Sequence, residues 1–380
     1  MENCHTSSGC RQYDRRTFGN FNKIDKYDLY CFSLYWSYKD LWLLAALTIK
    51  RRFPDAKILF GGPDIILHPN LVKIYEDLNI MYSFGDIESS IIKAIECNDF
   101  NCTSYIELKN LTYEHTPKYE KRELDYCSYM ITLNTSRGCS NKCYFCNTPS
   151  LSPFRVVKRE VVLEWFKYFN KVGVNIIEPN DPTFNCVGFD FLLDGLIKID
   201  NKCQIYDLHA SFYNMKSANT VKKMSKVGIK KVCFGMECCS PMLQKNINKK
   251  FPDYKSVFEY LKILEDTGVQ VLLFYIYGLP TQTVENFKSE LEFIKKINDT
   301  FKNVIFEVYS YYCSPLSYID SNREEFGIIE YNNYKDLLSP IYSRYDDMYK
   351  NMNMLRYKYD GNNSYFRKLI GENLNGVRLI

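Results

Sequence analysis

Residues 135–147 read TSRGCSNKCYFCN and bring Cys139, Cys143 and Cys146 within eight positions. Three thiols this close bind a metal, react, or merely share a neighbourhood. A structural zinc site takes four ligands, commonly as two Cys or Cys/His pairs some distance apart. Here one loop supplies three, and none of the four histidines stands near it in sequence. Chance clustering in a chain of 15 cysteines is the bland alternative, although the mouth of a strand is a poor place for it. An iron–sulfur cubane takes four thiolates. Three would leave one iron open, and an open metal position distinguishes catalytic from structural sites.

The loop begins a regular alternation. It follows the β-branched, apolar run SYMITLNTS (128–136). Five further runs of this kind are VNIIEPN (174–180), QIYDLHAS (204–211), KKVCFGMEC (230–238), VQVLLFYIYG (269–278) and VIFEVYSYY (304–312). Between them lie stretches such as REVVLEWFKYFNKVG (159–173) and ENFKSELEFIKKIND (285–299), whose apolar residues recur at helical steps. Repeated strand–helix units imply a parallel sheet, and six of them a curved or barrel-like one. Ligands of such sheets bind beyond the carboxyl ends of the strands.

A smaller α/β pattern precedes this one. DLYCFSLYW (28–36), AKILFGGPD (56–64) and IMYSFGDIE (80–88) read as strands, the second ending in a Gly-Gly-Pro turn. KDLWLLAALTIKRRF (39–53), LVKIYEDLN (71–79) and SSIIKAIE (89–96) complete the alternation, and residues 97–127 read as an irregular linker. The division expected is 1–120, 121–338 and a helical closing segment 339–380.

Composition limits the function classes. With 380 residues, 46% of them hydrophobic and 25% charged, the chain can bury a large core. A formal charge of +4 and no basic run longer than three argue against nucleic acid as a partner. The start, MENCHTSSGCRQYDRR, lacks the apolar core of a signal peptide. The apolar stretch Leu41–Ile49 is too short to span a bilayer and reads as a buried helix. An odd cysteine count without framework spacing points to a reducing, cytoplasmic setting and no membrane partner.

The C-x3-C-x2-C spacing with Phe145 before the last cysteine resembles the radical SAM superfamily. Three other segments resemble that family in the same order: EPNDPTFN (178–185), FGMECCS (234–240) and YIYGLPTQTVENF (275–287). The resemblance covers residues 125–331 and implies a partial (β/α)6 barrel. It implies a [4Fe–4S] cluster on Cys139, Cys143 and Cys146, with S-adenosylmethionine (SAM) on the open iron. It further implies that Asn180 and Asp181 meet the methionyl amino group, Glu237 the ribose or methionyl region, and Gly278, Leu279 and Phe145 the adenine. An external electron donor such as flavodoxin or ferredoxin is implied as well.

The N-terminal segments resemble the second half of a cobalamin-binding domain. Only 27 residues precede the first strand, and no Asp-x-His-x-x-Gly occurs. A truncated Rossmann-like domain that no longer holds cobalamin is therefore expected. VYSYYCSPLSY (308–318) places Cys313 just past the last barrel strand, where a thiol facing the substrate could quench a Cα radical. That layout is similar to PoyD-type epimerases, so the leading expectation is L-to-D epimerisation of a ribosomal precursor peptide, with Cys313 as hydrogen donor. Cys238 and Cys239 compete for the role. The alternative is a cobalamin-dependent radical SAM C-methyltransferase, and a non-catalytic metal protein is the reading from a different class.

Overall fold

A computed structural model describes residues 25–34, 39–67, 72–85, 117–311, 313–330 and 358–359. The chain divides into two compact units, residues 1–108 with 338–348, and residues 109–337 with 349–380.

In the first unit β1 (Leu29–Ser33), β2 (Lys57–Gly61) and β3 (Met81–Tyr82) form a parallel sheet in the order β1-β2-β3. Four successive residues of β2 are buried, as a central strand covered on both faces requires. The helix Lys39–Arg52 turns Ala45, Ala46 and Ile49 inward, so the apolar stretch is the buried helix its length suggested. The Gly-Gly-Pro turn needs its second glycine. Gly62 has φ +100°, and a Cβ there would lie 2.7 Å from the Leu34 carbonyl oxygen. The helix expected at 89–96 lies outside the described residues.

The second unit is built on β4 (Met130–Leu133), β7 (Ile176–Pro179), β8 (Gln204–Ile205), β9 (Leu208–Ala210), β10 (Lys231–Glu237), β11 (Gln270–Tyr277) and β12 (Val304–Ser310). All pairings among them are parallel, β4-β7-β8 on one side and β9-β10-β11-β12 on the other. β8 and β9 are one strand broken at Asp207, whose φ is +51°. Its first half pairs with β7 and its second with β10, so the run QIYDLHAS hands the sheet from one half to the other. Six parallel positions result, in the alternating α/β order the sequence predicts.

Helices cover one face. Val232, Phe234 and Met236 of β10 and Val271, Leu273 and Tyr275 of β11 join Phe287, Leu291 and Ile294 of the helix Val284–Thr300 in a single core. Burying each such side chain stabilises the fold by about 2 kcal/mol. Side chains alternate along a strand, so Lys231, Cys233, Gly235 and Glu237 of β10 project to the opposite face. Five of the described helices start on a cap: Ser217, Ser240, Asp253, Thr283 and Ser317 each accept from the backbone N–H three residues on.

A short antiparallel pair, β5 (Ser136–Arg137) with β6 (Arg155–Val156), closes the base of the cysteine loop. In the segment 339–380, read from sequence as helical, the described residues Lys358–Tyr359 are instead a strand, antiparallel to Ile328–Glu330. No helix among the described residues is long and apolar enough to cross a membrane.

Candidate active site

The cysteine loop leaves β5 through Gly138, whose φ is +64°. A Cβ at this position would lie 2.7 Å from the Pro153 carbonyl and closer still to the Ser152 oxygen, so the chain can double back here only at glycine. The loop is then tied from two sides. Tyr144 N–H donates to Ile247 O at 2.9 Å, and Asn248 Nδ2 donates to Lys142 O at 2.7 Å. On the other side Ile319 N–H donates to Tyr144 O at 3.0 Å, and the Tyr144 and Tyr318 rings stack at 4.1 Å. The loop therefore has a fixed shape set by chain segments far from it in sequence.

The three thiols are half-buried. Burial pushes Cys143 up to about 12, with Lys249 opposing, and pushes Cys146 up against hydrogen bonds from Thr148. Cys139 Sγ lies 3.4 Å from Thr183 Oγ1 and 3.4 Å from the Asn141 N–H. Thiols raised in this way ionise when a metal takes the sulfur. One loop supplies three thiolates, one short of a closed tetrahedral zinc site. A [4Fe–4S] cluster takes one thiolate per iron, so three from this loop would leave one iron open, with Cys139, Cys143 and Cys146 as its holders.

Glu237 ends β10. The sheet register slips between Gly235 and Glu237, and Glu237 has φ +50°, so the bulge turns its carboxylate back over Gly235. A Cβ on Gly235 would lie 3.0 Å from Glu237 Cδ, which explains the glycine two positions before the acid. Glu237 forms an ion pair with Lys249, and both side chains are largely buried. Burial by itself would lower the Lys249 ammonium, but the Glu237 carboxylate and the Cys143 thiol carry it above its ordinary value. A buried pair of opposite charges thus stands beside the cysteine loop. The sequence reading found Glu237 and missed Lys249.

The other expected residues divide. Asn180 is exposed at the end of β7. Asp181 is not available to a ligand in the way expected: it is 2% exposed and accepts from Thr135 N–H and Oγ1 at 3.0 Å each and from Ser136 Oγ at 2.5 Å. Arg159 completes this brace, donating to Thr135 Oγ1 at 3.0 Å and to Val187 O at 3.0 Å. Asp181 therefore positions the strand that launches the loop. Phe145 packs partly buried against an apolar cluster that contains Leu279, Ile247 and Cys238. The Gly278 N–H is committed to Gln282 Oε1 at 2.7 Å.

Glu290, which the sequence reading passed over, fixes that corner. Its carboxylate is 1% exposed and accepts from Cys239 N–H (2.7 Å), Ser240 N–H (2.8 Å), Tyr275 Oη (2.9 Å) and Gln282 Nε2 (2.6 Å). It joins the end of β10 to the turn after β11, the two places that carry Glu237 and Gly278. Burial raises this carboxyl, against the pull of its four donors.

Cys313 does not face an open site. It is 2% exposed within the same apolar cluster as Leu279, its Sγ is 3.8 Å from Asp320 Oδ1, and burial pushes it up to about 12. Cys238 and Cys239 are fully buried. All three candidate hydrogen donors are thus buried rather than presented on an open face. The face opposite the helices instead carries Lys231 paired with Asp207 at 2.6 Å, at the far end of β10 from Glu237. Burial raises the carboxyls of Glu178 on β7 and Glu307 on β12, and Lys231 opposes both shifts.

Comparison with known proteins follows the same lines. Residues 133–294 match the radical SAM superfamily. An uncharacterized methyltransferase of Pyrococcus horikoshii is 27% identical over 47% of this chain and 39% of its own length. The chain spans about two fifths of the length of the first curated relatives it matches, 41% and 39%. Among solved structures, the radical SAM methyltransferase TsrM of Kitasatospora setae, with cobalamin and a [4Fe–4S] cluster bound, is similar at TM-score 0.65 and 13% identity over 84% of this chain and 71% of that one. The cobalamin-dependent SAM radical enzyme OxsB is similar at TM-score 0.55 and 16% identity, over 79% of this chain and 47% of that one. These structural likenesses concern the fold. Residues 133–294, with their three-cysteine loop at the mouth of a parallel half-barrel, are a radical SAM domain.

Proposed function

We propose that the chain is a radical SAM methyltransferase that uses cobalamin as methyl carrier. The observation that carries this reading is the likeness to TsrM over 84% of the chain, a coverage well beyond the radical SAM domain. The relative named a methyltransferase supports it from sequence. The epimerase expectation has no such support. Its hydrogen donor is buried, and the ribosomal peptide entered only with that resemblance.

A bound cluster would supply the electron needed to break the S–C5′ bond of SAM, with a low-potential donor such as flavodoxin or ferredoxin as its source. The chain's part is placement. Cys139, Cys143 and Cys146 hold the cluster on a loop braced by Asp181, Arg159 and Asn248. The methionyl end of SAM carries an ammonium and a carboxylate, charges that Glu237 and Lys249 match in sign and proximity. Glu290 keeps Glu237 and the Gly278 turn in register.

Cobalamin supplies a methyl group in this reading. The turn after β3 carries Gly85, where a Cβ would meet nothing within 4 Å, whereas the Gly61–Gly62 turn after β2 is closed over by Leu34. Open backbone beyond the end of β3 suits the approach of a large flat ligand. The solved structures of similar fold, TsrM and OxsB, hold cobalamin, which supports this reading over the expectation of a domain that has lost it.

The test is to mix the protein with cobalamin, remove the excess by gel filtration, then add reductant and methyl-deuterated SAM. Retained corrin absorbance and cobalamin-dependent S-adenosylhomocysteine are expected. A protein that sheds the corrin and yields only 5′-deoxyadenosine would remain a radical SAM enzyme but not a methyltransferase of this kind.

A further inference from the structure

The turn Ile247–Lys249 is built around the cysteine loop. Ile247 O receives the Tyr144 N–H, and Asn248 reaches Lys142 O from a left-handed backbone with φ +50°, which asparagine tolerates. These two contacts flank Cys143. The next residue, Lys249, is turned inward and pairs with Glu237. A lysine gives up much hydration to be buried, and one carboxylate would pair with it equally well at the surface. Its position follows from the backbone around it: the two residues before it are bonded to Tyr144 and Lys142, the neighbours of Cys143, so its buried ammonium is held against the cysteine loop.

We propose that Lys249 is the counter-charge of the iron–sulfur cluster, raising its reduction potential by holding an ammonium beside Cys143. The proposal rests on the radical SAM reading of the loop. Reduction adds a negative charge to a cluster already ringed by thiolates. A fixed positive charge in a poorly solvated site stabilises the reduced form more than the oxidised one. Glu237 acts in the opposite sense, cancelling part of that charge, so the pair sets the potential by its balance. Lys249 is in this sense a positioning residue for charge rather than a group that reacts.

The test is an EPR-monitored redox titration of the reconstituted protein without SAM, after iron and sulfide per chain have been measured. Lys249→Met should shift the midpoint to lower potential, and Lys249→Arg should restore it. Glu237→Gln, which leaves the ammonium uncompensated, should shift it the other way. Unchanged midpoints in Lys249→Met and Glu237→Gln, or shifts of the same sign, overturn the proposal while leaving the cluster in place. If Lys249→Met loads no cluster, the sign of the Glu237→Gln shift decides alone. A wild-type protein that forms no cluster would instead remove the radical SAM reading on which all of this depends.

Discussion

Replacing Gly138 by alanine should disable the cysteine loop while sparing the fold. The residue sits at φ +64°, where an alanine costs about 1–2 kcal/mol. The added Cβ would stand 2.7 Å from both the carbon and oxygen of the Pro153 carbonyl. These are backbone atoms and cannot swing aside as a side chain would, so overpacking adds roughly 1–3 kcal/mol. The relief available is to part β5 from β6, a pairing of only two residues on each strand. Each backbone bond there contributes about 1 kcal/mol net, less than the strain it would release. The loop base should open before the barrel yields. Even about 2 kcal/mol of bias lowers the cluster-ready population roughly thirtyfold. The assay is iron and acid-labile sulfide per chain after anaerobic reconstitution, beside a thermal melt. Gly173→Ala is the control: φ there is +81°, but nothing lies within 4 Å of its Cβ, so it pays the conformational cost without the clash. We expect Gly173→Ala to load fully and Gly138→Ala to load little, both with a folded barrel. Equal loading by the two variants would refute the reasoning.

Other outcomes follow from the same geometry. Glu290→Gln sets an amide nitrogen among four donors and should cost about 1–3 kcal/mol in denaturant unfolding. It should also flatten the stability–pH profile. Burial raises the Glu290 carboxyl in the native state, so its favourable contribution is full below the ordinary carboxylate pKa and is lost as pH rises through the native one. A glutamine with the wild-type slope would show that Glu290 does not titrate as described. Cys313→Ala should lower stability by on the order of 1 kcal/mol and leave SAM cleavage at the wild-type rate, because the thiol is buried against Asp320. Loss of turnover in a folded Cys313→Ala protein would return that thiol to the chemistry.

Much of the half-barrel was legible because its strands are short, apolar and evenly spaced, and because each crossover helix shows its own stripe. The cysteine loop was legible because ligand spacing within one loop is a local property. What escaped depends on distant packing. The run QIYDLHAS reads as one strand, and nothing in it announces the left-handed Asp207 that breaks it. Lys249 lies in NINKKF, where a lysine normally faces water; only the bulge at Gly235 brings Glu237 within its reach. Asp181 was rightly singled out as buried chemistry at a strand end, but its partners Thr135 and Ser136 are contributed by the preceding strand. Glu290 did leave a signal. It falls three residues after Phe287 and four before Ile294, on the buried stripe of its helix, where a charge needs a reason.

The central claim is that three thiols in this loop hold a cluster able to cleave SAM. The direct measurement is 5′-deoxyadenosine, quantified by mass spectrometry after anaerobic reconstitution, with dithionite and SAM, for the wild-type protein and for Cys143→Ala. The account predicts product from the wild type and none from the variant. An iron-loaded wild type that makes no 5′-deoxyadenosine, or a Cys143→Ala protein that makes as much, would contradict it.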